Sequence, residues 1–283
     1  MDKFNSRSSK FKTRSAAPFW IATAWLTFVM VCTLGAGWWP VPPPDRIDWK
    51  NLSVGPGVGG HLLGTDPMGR DIVARLVFGA RVSLTVGTIA PLIGLITGSL
   101  LGLLAGFYRG YTESIIVGTI DILIAFPRIV FLLVVIFIFG PGLTNLSLAI
   151  GVLTIPSFAR VARANTIRFA GREFVLAARA AGAHDITILV QEILPNVAVP
   201  LLVYMLLVMG FVIIAEGSLG FLGLSVPSPS PSWGGMIAEG REVLDQAPHV
   251  SIIPALVMFL TILSVNIIGD WLRESFDARE SRL

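Results

Sequence analysis

The residues that could do chemistry in this chain are few and widely spaced. Its three histidines, His61, His184 and His249, fall in three separate polar segments, and its one cysteine, Cys32, sits inside an apolar run. A zinc-type site takes three or four such ligands brought together and a disulfide takes two cysteines, so this set argues for neither. The sequence has no G-x-x-x-x-G-K-[ST] phosphate loop, no nucleophile elbow and no H-E-x-x-H helix, which removes ATP hydrolysis by that route and the membrane hydrolases. No cofactor and no metal are expected, and the chain does not read as an enzyme. What remains is charge in unusual places. Asp121 and Arg128 stand seven residues apart on one helical face within or near an apolar stretch; they either pair, face an aqueous cavity, or snorkel to an interface. Glu216 ends another apolar stretch just before a Gly- and Pro-rich loop. It is either a functional acid or a hydrogen-bonding partner for that loop's irregular backbone.

The largest concentration of charge is a polar island from Arg160 to Asn196, with arginines at 160, 163, 168, 172 and 179 and long uncharged runs on both sides. Phe169 to Ala181 is rich in helix formers, and Gly182 is placed to end that helix because glycine tolerates positive φ. Asp185 is placed to cap a second helix, and Pro195 is expected to break it after Leu194. The result is helix, tight turn, helix. The small residues Ala177, Ala178, Ala180, Ala181, Gly182 and Ala183 would let another surface approach the backbone closely.

The elements that position these groups follow from composition. The 283 residues are 54% hydrophobic and 14% charged, against roughly 25% charge in a soluble chain. A membrane protein is the direct inference, and lipid is a partner. The net charge of +3 is no nucleic-acid footprint, because most basic residues flank apolar spans. Residues 1–17 form a basic tail, and residues 18–39 a first transmembrane helix, preferred over a cleaved signal peptide because the run is long and ends in Trp38 and Trp39. Residues 40–80 make an outer loop whose second half, with Ile72, Val73, Leu76 and Val77 at helical spacing among Arg70, Asp71 and Arg75, suggests an interfacial amphipathic helix. Residues 81–272 hold five further spans and the polar island, and residues 273–283 are a second tail. Ala90, Gly94, Gly98, Gly102 and Gly106 recur every fourth position, a packing face in lipid. The third span runs from Ser114 to about Phe139, FGPG marks a turn, and the fourth runs from Leu143 to about Ala159. The fifth is Val197 to Ala215 and the sixth Val250 to Gly269.

Lysine and arginine counts select an orientation. With the amino terminus inside, the inner segments carry fourteen and the outer segments, 40–81 and 216–249, carry six. The positive-inside rule therefore places both termini in the cytoplasm.

Three blocks resemble a known family. Ala177, Ala178, Gly182, Leu194 and Pro195 match the pattern of the EAA loop in permease subunits of binding-protein-dependent ABC importers. Glu173 stands one turn before the usual acid position, which is Leu176 here, as is common in the peptide-transporter branch. HLLGTDPMGRD with GAR is similar to the HxLGTDxxGRD…GAR signature of the C-type permease subunit of dipeptide and oligopeptide importers, and EGSLGFLGLSV with PSWG resembles the family's ExxLSFLGLG…PSWG stretch. The resemblance implies an all-α membrane protein of six transmembrane helices in the type I ABC importer permease (MetI-like) fold, in the bacterial inner membrane. It implies a homologous B-type permease partner, two ATP-binding subunits and an extracytoplasmic substrate-binding protein, with di- and oligopeptides as cargo. Glu173, Ala177, Ala178, Arg179, Gly182, Ala183, Asp185, Leu194 and Pro195 would then couple to the ATPases, and Asp121 and Glu216 are the candidates for the translocation path or gate. The same subfamily serves nickel, glutathione and other small solutes. A channel or carrier working without ATP is the alternative from another class, for which internal repeats or several intramembrane charges would be the sign.

Overall fold

The computed structural model describes residues 16–39 and 41–280. The basic amino-terminal tail, apart from its last two residues, and Arg282 lie outside them. The chain is helical: α1 Ala17–Leu34, α2 Ile72–Tyr108, α3 Gly110–Ala125, α4 Arg128–Phe139, α5 Leu143–Ala170, α6 Glu173–Ala180, α7 Asp185–Phe221, α8 Trp233–Gly240 and α9 His249–Glu280. Among the described residues there is no strand, only isolated bridges joining Ile47 to Arg70 and Thr65 to Asp71. Helices α1, α2, α5, α7 and α9 are each long and apolar enough to cross a membrane, and α3 with α4 makes a sixth span bent by 81°.

That bend has a local cause. Pro127 lacks an amide hydrogen and disfavours helical geometry in the residue before it, so Phe126 is extended at ψ 130° and the span breaks there. FGPG behaves as its composition dictates: α4 stops at Phe139, Gly140 takes φ +83°, and α5 starts afresh at Leu143.

Two expectations are corrected. The stretch after Arg70 is not a separate interfacial helix, because the helix that starts at Ile72 continues to Tyr108. Asp71 caps it, accepting from the Ala74 amide at 2.8 Å, and Arg70 and Arg75 are buried in ion pairs instead of lying at an interface. Nor does Pro195 end a helix. Ile188–Ile193 form a π turn in which the Leu194 amide reaches back to Leu189. The wider turn carries the chain past the proline ring, which sits in the first turn of the regular helix that follows, where no amide hydrogen is needed.

The glycine ladder packs α2 against α5 in register. A Cβ at Gly94 would strike Thr154, one at Gly98 would come within 2.5 Å of the Ile155 carbonyl, one at Gly102 would meet Ala159, and one at Gly106 would lie 2.8 Å from Thr166. Four successive turns of α2 thus press on α5, three of them against its backbone, the close approach that small residues permit in lipid. Three apolar clusters fill the bundle. One joins α1, α2, α7, α8 and α9 around Trp233, one joins α2, α4, α5 and α7 around Leu146, and one joins α2, α5, α6 and α7 around Phe158.

Candidate functional site

At the end of the bundle where α5 stops, Gly171 interrupts the chain and α6 begins at Glu173, so the short helix expected from Phe169 to Ala181 is divided between the tail of α5 and α6. Gly182 closes α6 at φ +82°. Its amide bonds the Arg179 carbonyl and the Ala183 amide bonds the Ala178 carbonyl, each at 3.1 Å. This is a complete Schellman cap, and it turns the chain directly into α7. His184 holds the capping position of α7, with Asp185 in its first turn, so Asp185 favours the positive helix end by charge and does not act as a side-chain cap.

The turn is held down from one side only. Val175 and Ile188 are fully buried with Phe169, Ile193 and Val197, and Ala178 and Ala183 pack against that cluster. The opposite side is bare: Glu173, Ala177, Arg179, Gly182 and Asp185 are exposed, together with Phe174, Leu176 and Ile186, the last 74% exposed. Arg179 lies over the Phe107 ring at 5.8 Å, which ties the projection to the end of α2. The surface combines apolar side chains, single charges and an uncovered glycine whose added Cβ would meet nothing within 4 Å. Leu194 and Pro195 are not part of it. They lie along α7 about 14 Å from Asp185, where Pro195 borders a cavity of about 540 Å³ with Asn196, Tyr204 and Arg273.

The two acids flagged in the apolar stretches have separate settings. Glu216 is completely buried; its Oε2 accepts from the Ser83 hydroxyl at 2.9 Å and its Oε1 from the Ser225 hydroxyl at 2.7 Å. Side-chain hydroxyls, and not loop backbone, satisfy it. Asp121 does not pair with Arg128, because the break at Pro127 destroys the helical register that would have aligned them. Its partner is Arg160 of α5, at 2.9 Å, while Arg128 lies over the Phe211 ring at 5.8 Å. Arg163 donates through Nε to Glu113 at 2.7 Å, a second link between α3 and α5. These pairings join residues far apart in sequence, and no local spacing announces them.

At the opposite end, the HLLGTDPMGRD block folds residues 41–71 onto the start of α2. His61 stands 2.8 Å from Asp71 and 3.5 Å from Asp48. Asp66 accepts from Arg70 at 2.6 Å, and Glu239 of α8 accepts from both Arg70 and Arg75 at 2.7 Å. The hydrogen bond to Asp71 raises the His61 pKa above its ordinary value, against a smaller opposing effect of burial. Glu239 was invisible to motif reading, although it is the one acid in the sequence of α8.

Residues 98–282 match the family described as "Binding-protein-dependent transport system inner membrane component". The chain belongs to that family. This permease is 39% identical over 263 residues to the glutathione transport system permease protein GsiD of Pectobacterium atrosepticum, covering 92% of this chain and 87% of that one. It is 39% identical over 259 residues to GsiD of Escherichia coli, covering 91% and 85%. Solved structures share its fold: the MetNI methionine ABC transporter in inward-facing conformations, with TM-score 0.59 and 19% identity over 71% of this permease and 95% of that chain, and an amino acid ABC transporter with histidines, with TM-score 0.54, 17% identity, and coverage of 71% and 94%. The permease is thus a membrane-embedded subunit of an ABC importer with the MetI-like helical fold.

Proposed function

We propose that this permease moves small peptides and peptide-like solutes inward, paired with a homologous B-type permease and driven by two separate ATPase subunits. A binding protein delivers cargo at the end that carries residues 41–71 and α8. The ATPases dock on the opposite, cytoplasmic end. Glutathione, carried by the named relatives, is itself a modified tripeptide, so peptide and glutathione are one kind of cargo: small, flexible and zwitterionic. The permease performs no covalent chemistry.

The observation that carries the reading is the bare side of the α6–Gly182–α7 turn. Its apolar residues Phe174, Leu176 and Ile186 project from a firmly anchored base, with Glu173, Arg179 and Asp185 beside them. Exposed apolar side chains flanked by single charges suit a protein partner. Because Val175 and Ile188 bind the turn to α5 and α7, a push on it is transmitted to both spans, which is what an ATP-driven rocking of the bundle requires.

Gly182→Val tests this. The added side chain has room, but a β-branched residue at φ +82° is strained by at least about 1–2 kcal/mol. The turn would open and the docking surface with it. In proteoliposomes holding both permeases and the ATPases, uptake should fall at least tenfold and stimulation of ATP hydrolysis by loaded binding protein should disappear, with membrane levels of the permease unchanged. Full uptake by the variant would remove the turn from the coupling path.

A further inference from the structure

Arg128 carries a charge into the bilayer without an acid to balance it. The uncharged part of α2, residues 82–108, is centred on Leu95. On α3, Ile120 and Asp121 border a cavity with Gly102 and Ala105, about 10–15 Å from that centre toward the α6 end. On α4, Leu132 and Ile136 share an apolar cluster with Val86 and Ala90, about 8–14 Å from it the opposite way. Arg128 stands between the two, near the middle of the hydrocarbon. It is exposed, it pairs with no acid among the described residues, and its guanidinium lies over the half-exposed Phe211 ring of α7 at 5.8 Å. An arginine side chain is too short to span the ~15 Å from there to either interface, half of ~30 Å of hydrocarbon. Lipid is a costly neighbour for it.

The backbone beside Arg128 points the same way. Phe126 is extended and exposed at the break before Pro127, and the last carbonyls of α3 have no helical amides beyond them. Non-helical backbone at membrane depth is tolerated only where protein buries it or water reaches it. A groove decides between these. Pro200, Tyr204 and Leu207 share one face of α7 with Phe211, and they line the cavity of about 540 Å³ that begins one turn from Phe211 and runs toward the α6 end. Asn165, Asn196 and Arg273 line its far end. A groove that is polar at its mouth and leads up to the Arg128 guanidinium is built for water.

We infer that this α7 groove is a stretch of the passage and that Arg128, at its mid-membrane end, is the contact for the cargo's carboxylate. The inference rests on the peptide-importer reading above and adds the residue that reads the cargo. Peptides and glutathione alike carry a carboxylate, and a guanidinium offers it two parallel hydrogen bonds of fixed geometry. The Phe211 ring is only a weak resting partner for the cation, so a carboxylate displaces nothing strong. Water in the groove screens the contact, which keeps it loose enough to release the solute, the condition a conducting site must meet. The cavity also has the size for such a cargo, within the roughly 300–1,000 Å³ of small-molecule sites.

The single cysteine makes a direct test available. In a Cys32→Ser background, Leu207→Cys places a thiol in the groove wall and leaves Arg128 in place. The complete transporter, held in lipid nanodiscs without nucleotide, is treated with membrane-impermeant methanethiosulfonates, and labelling of this chain is followed by mass spectrometry. The thiol should react. The ratio of its rates with the anionic sulfonatoethyl and the cationic trimethylammonioethyl reagents should fall at least threefold when Arg128→Gln is added. Millimolar alanylalanine or S-methylglutathione should slow the reaction at least tenfold, whereas alanylalaninamide, which lacks the carboxylate, should not. Arg128→Gln should abolish that protection, and Arg128→Lys, which keeps the charge, should retain part of it. An unreactive thiol would mean that lipid or the second permease fills the groove, and would overturn the inference. Reaction without protection by either carboxylate, equal protection by the amide, or protection that survives Arg128→Gln would overturn it as well. ATPase subunits that fail to copurify with the permease would instead sink the importer reading, so the two failures are distinct.

Discussion

Among the described residues, Glu216 bonds the Ser83 and Ser225 hydroxyls from a position with no solvent exposure, and those hydroxyls belong to α2 and to the loop after α7. Removing the carboxylate would leave both buried donors without an acceptor, at about 1–3 kcal/mol for each unsatisfied group. Glu216→Ala should therefore lower the thermal unfolding midpoint of the purified complex, and Glu216→Gln, which keeps one acceptor oxygen, should lower it less. Size-exclusion profiles after graded heating measure the difference. An Ala variant as stable as the parent but dead in uptake would move this acid from the structure to the transport path. The sequence marked Glu216 as unusual but did not name its partners, because Ser83 and Ser225 look like any other serine until α2 and α7 are packed side by side. Asp121 follows the same logic. Its charge in or near an apolar stretch was legible, but Arg160 became its partner only through a tertiary contact.

His61 belongs to an element, the folded cap of residues 41–71, and pH should act on that element as a unit. Its folded pKa lies above the unfolded value of about 6.5. The stabilisation is thus complete below about pH 6.5 and is lost as pH rises through the raised folded value. Asp48, held below its ordinary value by hydrogen bonds from Asn51 and the Lys50 amide, acts in the opposite sense and only at far lower pH. Hydrogen exchange in residues 41–71 should be slower at pH 6 than at pH 8 after correction for intrinsic rates, and His61→Gln should flatten that difference. An unchanged slope in the variant would place the titrating group elsewhere. The elements themselves divide by how local their causes are. The glycine ladder, the FGPG turn and the Gly182 cap were readable because each depends on a few adjacent residues. The run past Pro195 and the continuous α2 were not, since a π turn and a buried set of ion pairs with Glu239 override what proline and arginine suggest in isolation.

At the scale of the whole molecule, the two ends are built for different neighbours, and one orientation must serve both. The end with α6 gathers the five arginines of residues 160–196 with Arg109 and Arg273, whereas the other end carries a cap whose charges are largely neutralised internally by Asp66, Asp71 and Glu239. The positive-inside rule keeps lysine- and arginine-rich segments inside, so the proposed orientation puts the first end in the cytoplasm. In that proposed orientation the turn would also face the side where ATP is available to docked subunits. Alkaline phosphatase, which folds only outside the cytoplasm, should be inactive when fused after Leu283 and active when inserted beside Val58, a residue 49% exposed in the cap. A fluorescent protein at the same two points should give the reverse pattern. Phosphatase activity at the carboxyl terminus would place α6 outside, where no cytoplasmic ATPase could reach it. The coupling role would then fall even if the chain still crossed the membrane six times.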